Sequence, residues 1–376
     1  MMRPERELAE VGAHFQIHGR FLRGFSIGTG HINDTYAADY DYGGQTVRFV
    51  HQTINHRVFP EPLRLMENVT RVTGHMASKL AEADDPDARR KALTVVPARD
   101  GNGCWKNGDG VYWRTYVYIH RATTFETLDS EERARAVARA FGRFQRMLTD
   151  IPGGRLHETI PDFHDAGKRC DALEAAVAAS KNGRVSEAKD AIDFVRKRRD
   201  VAGVIRKLLD SGGIPERVTH NDTKLNNVLI DDATEEGICV IDLDTVMPGS
   251  VLYDFGDMIR TVTNPALEDE RDLSKVCMRM NMFRALLEGY WSTAGGFLNE
   301  TEREHLAFSG KLLALIIGAR FLTDYLQGDT YFKVHRRGQN LDRARSQFRL
   351  VKSIEEQEEE MRGVVDDVVR SCEPLC

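Results

Sequence analysis

Residues 218–232 read VTHNDTKLNNVLIDD. Between an apolar opening and the run Val228-Leu229-Ile230 stand His220, Asp222, Lys224 and Asn227. Phosphoryl transfer has a use for each of them. A carboxylate accepts a hydrogen bond from an attacking hydroxyl and orients its oxygen. An ammonium group two residues on neutralises charge on the transferred group, and a carboxamide oxygen is a hard donor of the kind Mg²⁺ prefers. Taken singly, each has a plain structural reading: Asp and Asn are common in turns, and a histidine can pack and hydrogen-bond within its own loop. As a set framed by two apolar strands, they favour chemistry.

The order His220-x-Asp222-x-Lys224-x-x-Asn227 is that of the protein-kinase catalytic loop. On this reading Asp222 and Lys224 are catalytic and Asn227 ligates metal. Twenty residues after Asp222, at the end of the apolar run CVI, comes Asp242, a second carboxylate placed to bridge metal and phosphate. The literal tripeptide DFG at 254–256 lies 32 residues after Asp222, beyond a Met-Pro-Gly turn. Asp242 is therefore assigned to metal, and Asp254 to bracing the loop by hydrogen bonds. Upstream, Gly28-Thr29-Gly30-His31 lies between strand-like runs, where backbone N–H groups can approach phosphate. The strand VRFVHQTIN has no lysine where a protein kinase pairs the α- and β-phosphates; Gln52 stands nearest, and Glu67 on the next helix lacks its usual partner.

Working outward, FLRGFSIGTGHINDTYAADYDYGGQTVRFVHQTIN (21–55) reads as hairpins around glycine turns. A helix is expected over 61–80, on Leu63, Met66, Val69 and Val72 or Thr73. From about residue 121 the pattern turns helical. One helix opens with Asp129 and Glu132 in capping-box spacing and carries Val137, Phe141, Phe144 and Leu148 on one face. Further helices are expected at 168–181, 186–210, 271–294, 302–326 and 341–370. The expected fold is α+β, a bilobal protein-kinase-like fold with a small antiparallel β-rich N-lobe carrying a helix and a larger, mostly helical C-lobe. The expected divisions are 1–113 for a nucleotide-binding lobe, 114–121 for a connector and 122–376 for the helical lobe.

The 376 residues carry a net charge of −6, with 41% hydrophobic and 29% charged residues. No basic stripe marks a nucleic-acid partner. The longest apolar run, LLALIIGA at 312–319, is too short to span a bilayer, and the charged N-terminus lacks a signal-peptide core. Six scattered cysteines without a C-x-x-C pair suit a reducing compartment. The expectation is a cytoplasmic protein with neither nucleic acid nor membrane as partner.

Five stretches carry a more particular likeness: GHINDTY (30–36), THNDTKLNNVL (219–229), IDLDTVMPGSVLYDFGDMIR (241–260), ALEDERDLSKV (266–276) and RFLTDYLQGDTYF (320–332). Together they resemble the bacterial N-acetylhexosamine 1-kinases, of the aminoglycoside-phosphotransferase branch of the kinase-like fold. The resemblance implies ATP and Mg²⁺ as cofactors and a small-molecule sugar as substrate, phosphorylated at its anomeric hydroxyl. It also implies nucleotide contacts from Gly28, Thr29, Gly30, Asn33 and Gln52. The implied sugar site is Asp222, Asp244, Arg320 and Tyr331, with His31 reaching from the glycine loop. Arg320 lies in a nearly all-apolar helix, where a charge needs a partner; an i, i+4 pair with Asp324 is the structural alternative. Tyr331 can equally be a core aromatic, and Asp244 a turn residue.

Other readings compete. An aminoglycoside or choline phosphotransferase keeps the fold, but its cationic acceptor sits poorly with Arg320. A nucleotide-binding pseudokinase fits the missing lysine but not the joint presence of Asp222, Asn227 and Asp242. A metal-dependent nuclease would want a basic track that this acidic chain lacks.

Overall fold

The computed structural model describes residues 5–27, 32–180 and 183–374. They fall into two units, Met1–Ala122 with Asp150–Pro161 and Ile238–Met247, and Thr123–Thr149 with Asp162–Gly237 and Pro248–Cys376. The expected connector, 114–121, lies within the first.

The first unit opens with α1 (Glu5–Ala13) and β1 (Arg20–Ser26). Next come β2 (Thr35–Tyr42) and β3 (Gln45–Ile54), two alternating runs about Gly43-Gly44. Both glycines are left-handed, at φ 68° and 94°, as a two-residue turn matched to the strand twist requires. After α2 (Pro62–Glu82) and the short α3 (Ala88–Lys91) come β4 (Val95–Val96), β5 (Trp105–Lys106) and β6 (Tyr112–Val117). The sheet runs β1-β2-β3-β6-β4, antiparallel throughout, with β5 also on β6. Alternation sorts its two faces. Tyr36, Ala38, Tyr40, Phe49 and Trp113 form a core with Leu8, Val11 and Phe15. Thr35, Gln52 and Arg114 occupy the other face, on which Arg114 meets Met66 of α2. On α2 the buried stripe is Leu65, Met66, Val69, Val72, Met76 and Leu80. Leu63, expected inside, is 61% exposed, because Leu65 rather than Leu63 is in helical register with Val69.

The second unit is helical. Its α4 (Glu131–Met147) begins at Ser130, whose side chain accepts the Arg133 N–H. The expected cap at Asp129 is thus one residue early. After α5 (Ala166–Ala179), the single helix expected over 186–210 is broken into α6 (Arg184–Glu187), α7 (Lys189–Arg196) and α8 (Val204–Asp210). Lys197-Arg198-Arg199-Asp200 has no apolar side chain to bury, and Arg198 turns aside to pair with Glu355. Short strands follow: β8 (Arg217–Thr219) and β9 (Val228–Asp231) frame the 218–232 loop. Three more, β7 (Ala122–Thr123), β10 (Gly237–Val240) and β11 (Met247–Gly249), lie where the chain passes between units. Then come α9 (Val251–Val262), α10 (Met280–Ala294), α11 (Glu300–Glu304), α12 (Leu306–Gln327) and α13 (Gln339–Ser371). Residues 271–279, expected as helix, form a 3₁₀ turn and an extended stretch instead. There the Arg279 side chain satisfies the last carbonyls of α9, at Val262 and Thr263. The apolar α12 is long enough to cross a membrane, yet 78% of its most apolar window is buried in the fold.

His51 on β3 is wholly buried in the first core. Its ring nitrogens meet Tyr40 Oη at 2.9 Å and Thr115 Oγ1 at 2.8 Å, and burial pushes its pKa down to about 4. The unfolded imidazole takes a proton near 6.5, so between pH 6.5 and 4 the unfolded state binds more protons and stability falls with pH. At pH 4.5 this one residue should cost about 2.5 kcal/mol relative to pH 8. Urea unfolding of wild type and His51→Gln at pH 8 and 4.5 checks this. The variant should start less stable but lose less on acidification; equal losses would acquit His51.

Candidate active site

In the second unit, the 218–232 loop hangs on one carboxylate. Asp254, in the first turn of α9 and fully buried, accepts the N–H of His220 (2.9 Å) and of Asn221 (2.7 Å). Gln145 Nε2 of α4 donates to it at 2.6 Å, and Tyr290 Oη of α10 donates in turn to Gln145 Oε1. Thr223 Oγ1 donates to the Asp254 carbonyl at 2.6 Å. Burial raises the Asp254 pKa despite these donors and the nearby His220. The DFG tripeptide is therefore helix. A Cβ on Gly256 would come within 2.4 Å of the Ser309 carbonyl on α12, so this glycine allows two helices to meet.

The brace fixes the loop's path. Asn221 takes a left-handed φ of 63°, which Asn tolerates better than most residues. The carbonyl of Asn221 accepts from His164 Nε2 at 2.8 Å. Burial pushes His164 down to about 3, so the ring stays neutral. His220 packs against Phe141 and Phe144, and its Nδ1 accepts the Asp222 N–H at 3.3 Å. Asp222 has Lys224 Nζ at 3.0 Å from Oδ2. Asn227 Nδ2 donates to its carbonyl (2.8 Å) and to Oδ2 (3.2 Å). Burial works against the Asp222 charge, but the Lys224 ammonium and His220 outweigh it and hold the carboxyl below its usual range. A buried pair that the sequence reading missed, Asp257 and Arg260 at 2.7 Å, also acts on Asp222 through its charges.

Arg320 of α12 lies 4.6 Å from the Phe163 ring centroid, 5.5 Å from that of Phe332 and 5.8 Å from that of Tyr331. No i, i+4 pair with Asp324 forms. Asp324 instead accepts the N–H groups of Thr330, Tyr331 and Phe332 and the Asn340 amide, folding residues 328–332 over its own helix end. Tyr331 is 45% exposed and is not a core aromatic. Near Arg320, Arg169 donates twice to the Phe163 carbonyl; burial and the Arg320 charge lower its pKa to about 10.

In the first unit, Gln52, Arg114, Asp244 and Asn33 form one network. Gln52 Nε2 donates to Thr35 Oγ1 (2.9 Å), and its Oε1 accepts from Arg114 Nε (2.9 Å) and Nη2 (2.7 Å). Arg114 Nη1 bonds Asp244 Oδ1, and Asn33 Nδ2 donates to Asp244 Oδ2 at 2.6 Å. Glu67 turns to His157 instead. Burial weakens the Arg114 charge, but Asp244 and Asp242 more than restore it, leaving the pKa raised. Sequence reasoning missed Arg114. The available signal was a charge amid VYWRTYVYI, an otherwise apolar and aromatic run. Asp242 takes a left-handed backbone, φ 59° and ψ 60°. Gly28, Thr29, Gly30 and His31 lie outside the described residues.

The donor chemistry present fits Mg²⁺. In the second unit Asn227, its Nδ2 tied to Asp222, has Oδ1 left to offer; in the first, Asp242 carries a carboxylate, and each is a hard oxygen donor. Among the described residues no group of three His, Cys, Asp or Glu could hold a metal ion.

The sequence model described as Phosphotransferase enzyme family matches residues 26–275. Among solved structures, a spectinomycin phosphotransferase in complex with ADP and spectinomycin covers 95% of this chain and 99% of its own, at 13% identity and TM-score 0.56. An aminoglycoside phosphotransferase from Alicyclobacillus acidocaldarius gives 96% and 96%, 10% and 0.57. A choline kinase from Cryptosporidium parvum gives 93% and 92%, 11% and 0.56. At these identities the likeness concerns the fold, which is α+β and kinase-like.

Removing the Asp254 carboxylate strands two backbone N–H groups and one amide. At about 1–3 kcal/mol for each buried unsatisfied group, Asp254→Ala should cost roughly 3 kcal/mol or more in urea unfolding, and Asp222→Asn much less. Equal stability of the two variants would contradict the bracing role.

Proposed function

The chain belongs to the phosphotransferase enzyme family, and from that premise we propose that it is an ATP- and Mg²⁺-dependent kinase acting on the anomeric hydroxyl of an N-acetylhexosamine. The observation that carries the transfer reaction is Asp222, an ionised carboxylate held between Lys224 and Asn227 on a loop braced from the core. The C1 oxygen would form its bond to the γ-phosphorus as the bond from phosphorus to the β-phosphate oxygen breaks. The products are sugar 1-phosphate, ADP and the hydroxyl proton. A carboxylate below its usual pKa is a weak base, suited to orienting a hydroxyl rather than stripping it early. That suffices in a loose transition state, where positioning dominates. An anomeric hydroxyl is also the most acidic on the sugar, since the ring oxygen withdraws charge. Bound Mg²⁺, on Asn227 and Asp242, would neutralise charge on the β- and γ-phosphates. Lys224 adds a cation beside the reacting group.

The acceptor's identity rests on the sequence resemblance, with Arg320, Tyr331, Asp244 and His31 as its contacts. Arg320 supports a neutral acceptor rich in oxygen. Its guanidinium lies among aromatic rings with no carboxylate paired to it among the described residues, and Arg169 adds a second cation nearby. Such a pocket opposes the cationic acceptors of aminoglycoside and choline kinases.

Asp222→Asn should retain nucleotide binding and lower kcat by roughly 10²-fold or more; near-normal turnover would remove Asp222 from the mechanism. ADP release should be seen with N-acetylglucosamine or N-acetylgalactosamine and with 6-deoxy-N-acetylglucosamine, but not with the C1-blocked methyl glycoside. A 6-phosphate product in ³¹P NMR would defeat the anomeric assignment and leave the kinase assignment standing.

A further inference from the structure

A kinase-like nucleotide lobe ordinarily places its cation on the third strand, and here that strand offers Gln52. The cation is instead Arg114 on β6, directly opposite Gln52 in the strand register. It is 1% exposed, too enclosed to meet a phosphate as a surface lysine does. Its hydrogen bonds point inward: Nε and Nη2 to the Gln52 carboxamide oxygen, and Nη1 to Asp244 and the sulfur of Met66. Asp244 lies in the 3₁₀ turn Leu243–Thr245, for which the left-handed Asp242 is the leading residue. A second tether of the turn is Asn33 on Asp244 Oδ2, itself fixed because its Oδ1 accepts the Asn55 N–H at 3.0 Å. The Asp244 carboxylate thus ties the turn that follows Asp242 to Arg114 of β6, and Arg114 joins it to Gln52 of β3.

We infer that Arg114 is a positioning residue: by gripping Asp244 it sets the direction in which Asp242 offers its carboxylate to metal-bound nucleotide. The inference rests on the proposed role of Asp242 as a metal ligand. A guanidinium can span Gln52 and Asp244 at once because its donors form a flat fork. A lysine ammonium is a point charge on a flexible stem and gives up that geometry while keeping the charge. A plain structural ion pair would affect folding without distinguishing nucleotide with metal from nucleotide alone.

The test uses calorimetric binding of ATP to the full-length protein, with Mg²⁺ and with EDTA, and needs no acceptor. In Arg114→Lys, affinity for ATP in EDTA should stay within about 2-fold of wild type. Affinity with Mg²⁺ should fall about 10-fold or more, the range seen when a residue supporting a metal ligand is lost. Should loss of the guanidinium fork unfold the single variant, the double variant Arg114→Met/Asp244→Leu removes both charges together, which buried pairs often tolerate. It should show the same Mg²⁺-selective loss. Equal losses with and without Mg²⁺, or wild-type Mg²⁺ dependence in a folded variant, would overturn the inference. Failure of the wild type to bind ATP with Mg²⁺ would instead defeat the kinase reading, so the two failures are distinguishable.

Discussion

Two adjacent backbone N–H groups, those of His220 and Asn221, end on a single buried carboxylate, and the candidate chemistry of the second unit depends on that contact. After β8 the chain turns through a left-handed residue, so no neighbouring strand can take these donors, and burial removes water as an alternative. Asp254 fills the need from the first turn of α9, where the helix dipole favours a negative charge. Through Gln145 and Tyr290 the same carboxylate is tied to α4 and α10. The loop therefore inherits its shape from packed helices, and Asp222 inherits its orientation from the loop.

Two guanidiniums illustrate how burial decides what a charge does. Arg114 is enclosed with a carboxylate and a carboxamide, its three nitrogens donate within the fold, and its role is to hold. Arg320 is only half-buried, lies over the rings of Phe163, Tyr331 and Phe332, and its role would be to receive. The desolvation cost is met in the first case by ion pairing and hydrogen bonds. In the second it is lowered by residual solvent and by the faces of the rings.

The 218–232 loop was legible in the sequence because a run of polar side chains stands between two apolar strand segments. The literal DFG lies in a helix, where Asp254 accepts the His220 and Asn221 N–H groups. The sheet was legible for a different reason: strict alternation and a Gly-Gly turn leave few other arrangements. What stayed hidden depends on contacts far apart in sequence. Arg114 reads as a lone charge until Asp244, 130 residues later, is brought to it. Asp324 looks like the natural i, i+4 partner of Arg320, yet its carboxylate is turned to three N–H groups of the following turn. Helix ends were misplaced by a residue or more where two capping candidates stood side by side, as at Asp129 and Ser130, or where a polar run interrupted an otherwise helical pattern.

The first unit is not contiguous in the chain. It takes in Met1–Ala122, then Asp150–Pro161, then Ile238–Met247, and the last piece carries the counter-charge of Arg114. During synthesis the sheet residues emerge long before that piece does. A nascent chain that has not reached Asp244 holds a guanidinium on β6 with no carboxylate to bury it against, at the centre of what becomes a closed interior. The order in which domains usually fold, N-terminal first, is suspended here: the unit that begins first is completed only after much of the second has been made.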